Sequence, residues 1–174
     1  TSTPDRQTTL AGAIANNHYI EFSISAQTGY ILNLESLSFK GQSATTGADN
    51  VALLSSIGGF SNSAVMGSLS GIAGTSGGFD TDASGFGGLI DLSSADYQNI
   101  TSVRFRLYGW NTSGSTGATY FRNLSGNDLV VSGTVNVPEI NSVALLVGTF
   151  TLLVVLAQRS YQRRSLIPYR KIDK

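Results

Sequence analysis

The 174-residue chain contains no cysteine. Disulfides, thiolate nucleophiles and cysteine-based metal sites are excluded at once, and the count leaves the redox compartment unread. A single histidine, His18, is present. A Ser-His-Asp triad therefore has almost no material, and a zinc site would have to rest on carboxylates. Charge is scarce as well, with Asp, Glu, Lys and Arg at 13% of residues against a usual quarter. Twenty glycines and many Ser, Thr and Asn take their place, a mix that favours turns and short strands over helix interiors. An outer domain without disulfides suits a bacterium better than an animal secretory pathway.

The net charge of zero hides an asymmetry. Residues 1–157 carry five basic side chains (Arg6, Lys40, Arg104, Arg106, Arg122) against ten acidic ones. Residues 158–174 carry six basic side chains (Arg159, Arg163, Arg164, Arg170, Lys171, Lys174) against Asp173. A basic tail can bind nucleic acid, but this one follows an apolar run, so a membrane stop is the better reading and no nucleic-acid partner is expected. From Val143 to Ala157 the sequence reads VALLVGTFTLLVVLA, without a charge, and the uncharged stretch extends back to Ile140. At about 1.5 Å per residue, Ile140–Ala157 makes roughly 27 Å of helix, just enough for a bilayer core. No amphipathic period runs through it, unlike a surface helix, and a core strand would be shorter. Arg159, Arg163 and Arg164 follow as a stop-transfer cluster. The positive-inside rule places that end in the cytoplasm and the acidic body, with the N-terminus, outside. The chain opens on Thr1 rather than Met, so a missing N-terminal region is expected, where a signal peptide could lie.

The body reads as all-β. Residues 1–17 are polar with Ala and Gly, a frayed segment or linker. His18–Ser25 alternates Ile20, Phe22 and Ile24 against Glu21, Ser23 and Ser25. Tyr30–Phe39 alternates Leu32 and Leu34, then slips phase to Leu37 and Phe39, which predicts a β-bulge around Glu35–Ser36. Val51–Ile57, Val65–Leu69 and Gly88–Leu92 are further strands, and Ser93–Asn99 is one helical turn with Ser93 or Ser94 to cap it. Ser102–Trp110 has the clearest alternation: Val103, Phe105 and Leu107 on one side, Arg104, Arg106, Tyr108 and Trp110 on the other. Ala118–Leu124 and Asp128–Val137 complete the set. Short strands punctuated by Gly and Asn predict a β-sandwich or jelly-roll-like ectodomain over residues 18–136, followed by a single C-terminal transmembrane helix.

Three constellations could carry chemistry. Asp80, Asp82, Ser84, Gly85 and Asp91 match the oxygen spacing of a calcium loop, although the flanks are Gly-rich and the last ligand is Asp rather than Glu. The plain alternative is a polar loop entering a strand. Tyr108 and Trp110, beside Arg104 and Arg106, suggest a glycan contact, since exposed rings stack on apolar sugar faces; the alternative is a ring that caps the sandwich edge. Paired carboxylates for glycoside hydrolysis would have to come from Glu21, Glu35 and the aspartates converging in space. The sequons at Asn99, Asn111 and Asn123 would be idle in a bacterium. His18 reads as a solvent-facing residue at the head of a strand.

The C-terminal run of Val137-Pro138-Glu139, apolar helix, Arg159 and the Arg163–Arg164 pair resembles a PEP-CTERM sorting signal. That tripartite anchor is found on exported proteins of Gram-negative bacteria that make exopolysaccharide. HYIEFSIS, GYILNLESLSF, VRFRLYGW and LVVSGTV are similar to the β-sandwich ectodomains that commonly precede it. The resemblance implies inner-membrane anchoring during export, recognition and cleavage near Pro138–Glu139 by an exosortase, and release to the cell surface or matrix, where exopolysaccharide is a partner. Residues 137–164 would be the sorting segment and residues 165–174 a basic cytoplasmic tail. The family usually has a second Pro where this chain has Ile140, and the tail runs longer than usual. Pro138 and Glu139 equally suit an ordinary helix start, which leaves a permanent anchor as the other outcome. The expectation is a non-enzymatic exported protein of the cell envelope; a carbohydrate-binding module on the same anchor is the alternative.

Overall fold

The computed structural model describes residues 6–74, 78–80, 86, 89–114, 117–122 and 126–137, with Asp80 described through its backbone. The chain divides into two compact units, Thr1–Val137 and Pro138–Lys174. The second lies outside the described residues, and with it the expected span over Ile140–Ala157. Among the described residues no helix is long and apolar enough to cross a membrane.

The first unit is all-β, built from two antiparallel sheets. Its elements are helix α1 (Leu10–Ala15) and strands β1 (Tyr19–Ser25), β2 (Ile31–Ser43), β3 (Ala48–Ser55), β4 (Gly67–Ser70), β5 (Phe79–Asp80), β6 (Ile90–Asp91), β7 (Ser102–Thr112), β8 (Thr119–Phe121) and β9 (Leu129–Asn136). One sheet has the order β1-β7-β3-β4, while in the other β5, β6, β8 and β9 all pair with the long strand β2. Inward residues of both sheets meet in one core: Leu32, Leu34, Leu37 and Phe39 from β2, Val51 and Leu53 from β3, and Val103, Phe105 and Leu107 from β7. The arrangement is β-sandwich-like.

The period-two patterns explain why these segments are strands with these faces. Along β7, Val103, Phe105 and Leu107 are buried, as alternation requires. In β2 the register against β9 shifts between Leu34 and Ser36. The extra residue, Glu35, keeps Leu32 and Leu34 on the same face as Leu37 and Phe39, which is the bulge the phase slip implies. Phe39 is the aromatic hub, with ring contacts to Phe79, Phe86 and Phe121 at 5.3–6.3 Å.

The predicted turn over Ser93–Asn99 is a 3-10 turn at Ala95–Tyr97. Ser94 stands at its N-cap without a side-chain bond; instead the Asp91 carboxylate accepts the Ser93 N–H at 2.8 Å. This turn places the Tyr97 hydroxyl 2.8 Å from Ser55 Oγ and stacks its ring near Phe105. Replacing Tyr97 by Phe should lower stability by about 1 kcal/mol in urea denaturation, the usual net worth of one buried hydrogen bond. Burial raises the Tyr97 pKa, opposed by the Ser55 bond. Its contribution is therefore complete below the unfolded-state value of about 10 and is lost as pH rises through the raised folded value. The Phe variant should lose that share of the alkaline slope.

The N-terminal segment departs from the expectation of a frayed linker. Thr9 caps α1, its hydroxyl accepting the Gly12 N–H at 3.1 Å. Leu10, Ala13 and Ile14 fall on one helical face and pack on Ala52, Leu54 and Tyr108, on the outer side of the β1-β7-β3-β4 sheet. Ahead of the helix, the Gln7 C=O accepts the Asn111 N–H at 2.7 Å. Residues 6–17 thus form a strap across that sheet.

Candidate functional site

Arg104, Arg106, Tyr108 and Trp110 share the outer face of β7, as alternation predicts. That face is closed rather than open. Tyr108 has no exposed surface. It pairs across the strands with Tyr19 and Ala52 and lies beneath the strap, with an edge-on Tyr19 ring at 5.3 Å. Trp110 is half-buried against the same cluster. The expectation that Tyr108 offers an exposed ring is therefore corrected: α1 occupies the space a sugar face would take.

Arg106 is the centre of this face. Its guanidinium carbon lies 4.0 Å from the ring centroids of both Tyr19 and Phe60. Nε donates to Glu21 Oε2 at 2.7 Å, and Nη1 donates to the Tyr108 hydroxyl at 3.2 Å. Burial opposes the charge on Arg106, and the bonds to Glu21 and Tyr108 outweigh it, so its pKa is raised. Arg104 sits at the rim, half-exposed, 3.6 Å from the same Glu21 carboxylate and 5.3 Å from the Phe60 ring. Such a rim pair contributes little to stability. Phe60 itself has φ +54°, a left-handed conformation unusual for a bulky side chain. The bond from its N–H to Ser55 C=O, 3.0 Å, and the two arginines hold it there. Together these groups fasten the turn after β3 to β1 and β7.

The calcium set divides. Asp82 and Ser84 lie outside the described residues. In the backbone ladder Asp80 stands opposite Lys40 of β2, and Asp91 stands opposite Ser36. The Asp91 carboxyl is exposed and is held below the usual carboxylate range by its hydrogen bonds to Ser93, which gives it a structural task in the turn. Among the described residues no group of three or more His, Asp or Glu side chains could hold a metal ion. Glu21, on β1, is held by Arg104 and Arg106, and Glu35 is exposed at the bulge of β2 in the other sheet. Of the sorting segment, Val137 is described and 64% exposed; Pro138, Glu139, Arg159, Arg163 and Arg164 lie outside the described residues.

A further feature had no counterpart in the sequence expectations. A cleft of about 240 Å³ opens at one end of the sandwich. Ile20, Val51 and Leu107 line its apolar part, with His18, Thr112 and Thr119 as polar neighbours. The Thr119 hydroxyl is already engaged, accepting the Ala48 N–H at 3.2 Å and lying 3.0 Å from Ser43 Oγ. Its described lining contains no carboxylate. Its lining comes from β1, β3, β7, β8 and the glycine-rich stretch before β8, and no local motif could have signalled it.

Comparison of the chain with protein-family models, curated proteins and solved structures finds no match.

Proposed function

We propose that this chain is a non-enzymatic exported protein of the bacterial cell envelope. In this reading a jelly-roll-like ectodomain is carried by a single spanning helix, and an exosortase-type enzyme processes it at Pro138–Glu139. One observation carries the reading. The compact unit ends at Val137, one residue after β9 closes at Asn136. The fold's boundary and the start of the sorting-like segment therefore coincide. The core of the first unit is built from its own strands. Eighteen uncharged, mostly apolar residues followed by an arginine cluster suit a bilayer better than any soluble role.

Intact-mass analysis of the protein recovered from the outer surface tests this directly. A mature C-terminus near Glu139 is the expected result. A surface protein that retains Lys174 would be a permanent single-pass anchor, and absence from the envelope fraction would defeat the reading altogether.

A further inference from the structure

Among the described residues, strand β9 is an edge without charge or proline. It pairs with β2 along its length, and among the described residues no strand pairs with its other side. Natural edge strands are blunted by charges, prolines or bulges. From Leu129 to Val137 the sequence LVVSGTVNV has no charge and no proline, and the bulge in this pairing lies on β2. Leu129, Val131, Gly133 and Val135 pair with the inward residues Phe39, Leu37, Leu34 and Leu32. Yet Leu129 is 40% exposed, Val135 61% and Val137 64%. These apolar side chains are left partly uncovered.

The hydrogen-bonding phase of this edge can be read from its neighbour. Leu32 exchanges both backbone hydrogen bonds with Ile100 on its far side, at 2.7 and 3.1 Å. Leu32 and its β9 partner Val135 are therefore a non-hydrogen-bonded pair, and the N–H and C=O of Val135 point to the open edge. By alternation the same holds for Gly133 and Val131. The sequence around Gly133 is nearly palindromic: Val131-Ser132-Gly133-Thr134-Val135. An antiparallel pairing of two such edges about Gly133 sets Val131 against Val135, Ser132 against Thr134 and Leu129 against Val137. Every outward-pointing backbone group then falls in a hydrogen-bonded pair, apolar residues meet on one face and hydroxyls on the other, which is a favourable set of cross-strand pairs.

We infer that β9 is a self-association edge, and that its occupant is β9 of a second copy of this chain, joined antiparallel about Gly133 so that the two β2-centred sheets become continuous. The glycine on the axis is also required within each copy. A Cβ at position 133 would lie against the backbone of Asn33 and Leu34.

The absence of native cysteine allows a test of register in the full chain, solubilised in a non-ionic detergent. In the inferred pairing Ser132 and Thr134 of the two copies are non-hydrogen-bonded neighbours, with Cα atoms about 4.5 Å apart, within disulfide reach. Two copies of Ser132, or two of Thr134, are offset by two residues and stand roughly 8 Å apart, beyond it. An oxidised mixture of the Ser132→Cys and Thr134→Cys variants should therefore form disulfide dimer several-fold faster than either variant alone. Val135→Lys should abolish the dimer in sedimentation velocity while the circular-dichroism spectrum stays that of the folded chain, and it should remove the concentration dependence of the thermal midpoint. Equal cross-linking in mixed and single samples would overturn the inference. So would a monomeric wild-type chain, or a dimer that survives Val135→Lys, which would place association elsewhere.

Discussion

Replacing Phe39 by Ala should cost about 3–5 kcal/mol of folding free energy, the range for deleting a buried aromatic side chain. Phe39 is 1% exposed and joins the rings of Phe79, Phe86 and Phe121. Those rings come from β5, the segment before β6 and β8, two of them strands of only two or three residues. Short strands of this kind owe their order to packing more than to their few ladder bonds. The cavity at Phe39 would therefore remove the support of several elements together. A chain of this size has a total stability of about 5–15 kcal/mol, so a large shift of the urea midpoint is expected. A shift below about 1 kcal/mol would mean that the aromatic cluster is not the core described above.

The second large effect concerns Tyr108. Tyr108→Ala should also cost about 3–5 kcal/mol, and it should free the strap as well. The Ala13 N–H, bonded to Thr9 C=O at 3.0 Å, would lose its protection from hydrogen exchange, because Ala13, Leu10 and Ile14 would no longer have a ring to pack on. Tyr108→Phe isolates the hydroxyl. It removes only the bond from Arg106 at 3.2 Å, so a cost of about 1 kcal/mol with the strap intact is expected. If both variants released α1 equally, the hydroxyl rather than the ring would be holding the helix.

Strand positions and faces were legible where the period of two survives, as in β1, β2 and β7, whereas the two-residue strand β5, in a Gly- and Ser-rich stretch, was not. The β7 segment VRFRLYGW is the plainest case, and even the bulge at Glu35 left its mark as a change of phase. What covers each face was harder to read. Arg104, Arg106, Tyr108 and Trp110 were correctly given one side of β7, but a strand's own alternation cannot say whether a further layer lies above it. The clue was next door. Val51, Ala52, Leu53 and Leu54 of β3 are all fully buried, and an unbroken apolar run means a strand covered on both faces. The cover is the short apolar stretch Leu10–Ala15, whose six residues are too few for a helical period to stand out. The Phe60 fastening was hidden for a different reason. A turn written Gly58-Gly59-Phe60 gives no hint that the bulky residue, rather than a glycine alone, takes the left-handed conformation.

The placement of β9 has a mechanical consequence if the chain is held through its C-terminus. A tether beyond Val137 would deliver its load first to the pair Asn136–Ile31, at the end of the β2–β9 ladder. Pulled along the strand, all the pairs from there to Leu129–Phe39 would bear the force in shear and give way together. Pulled across the strand, they would open in succession from the same end, like a zip. How firmly this domain resists drag at a surface would then depend on the angle of the pull as much as on its folding free energy.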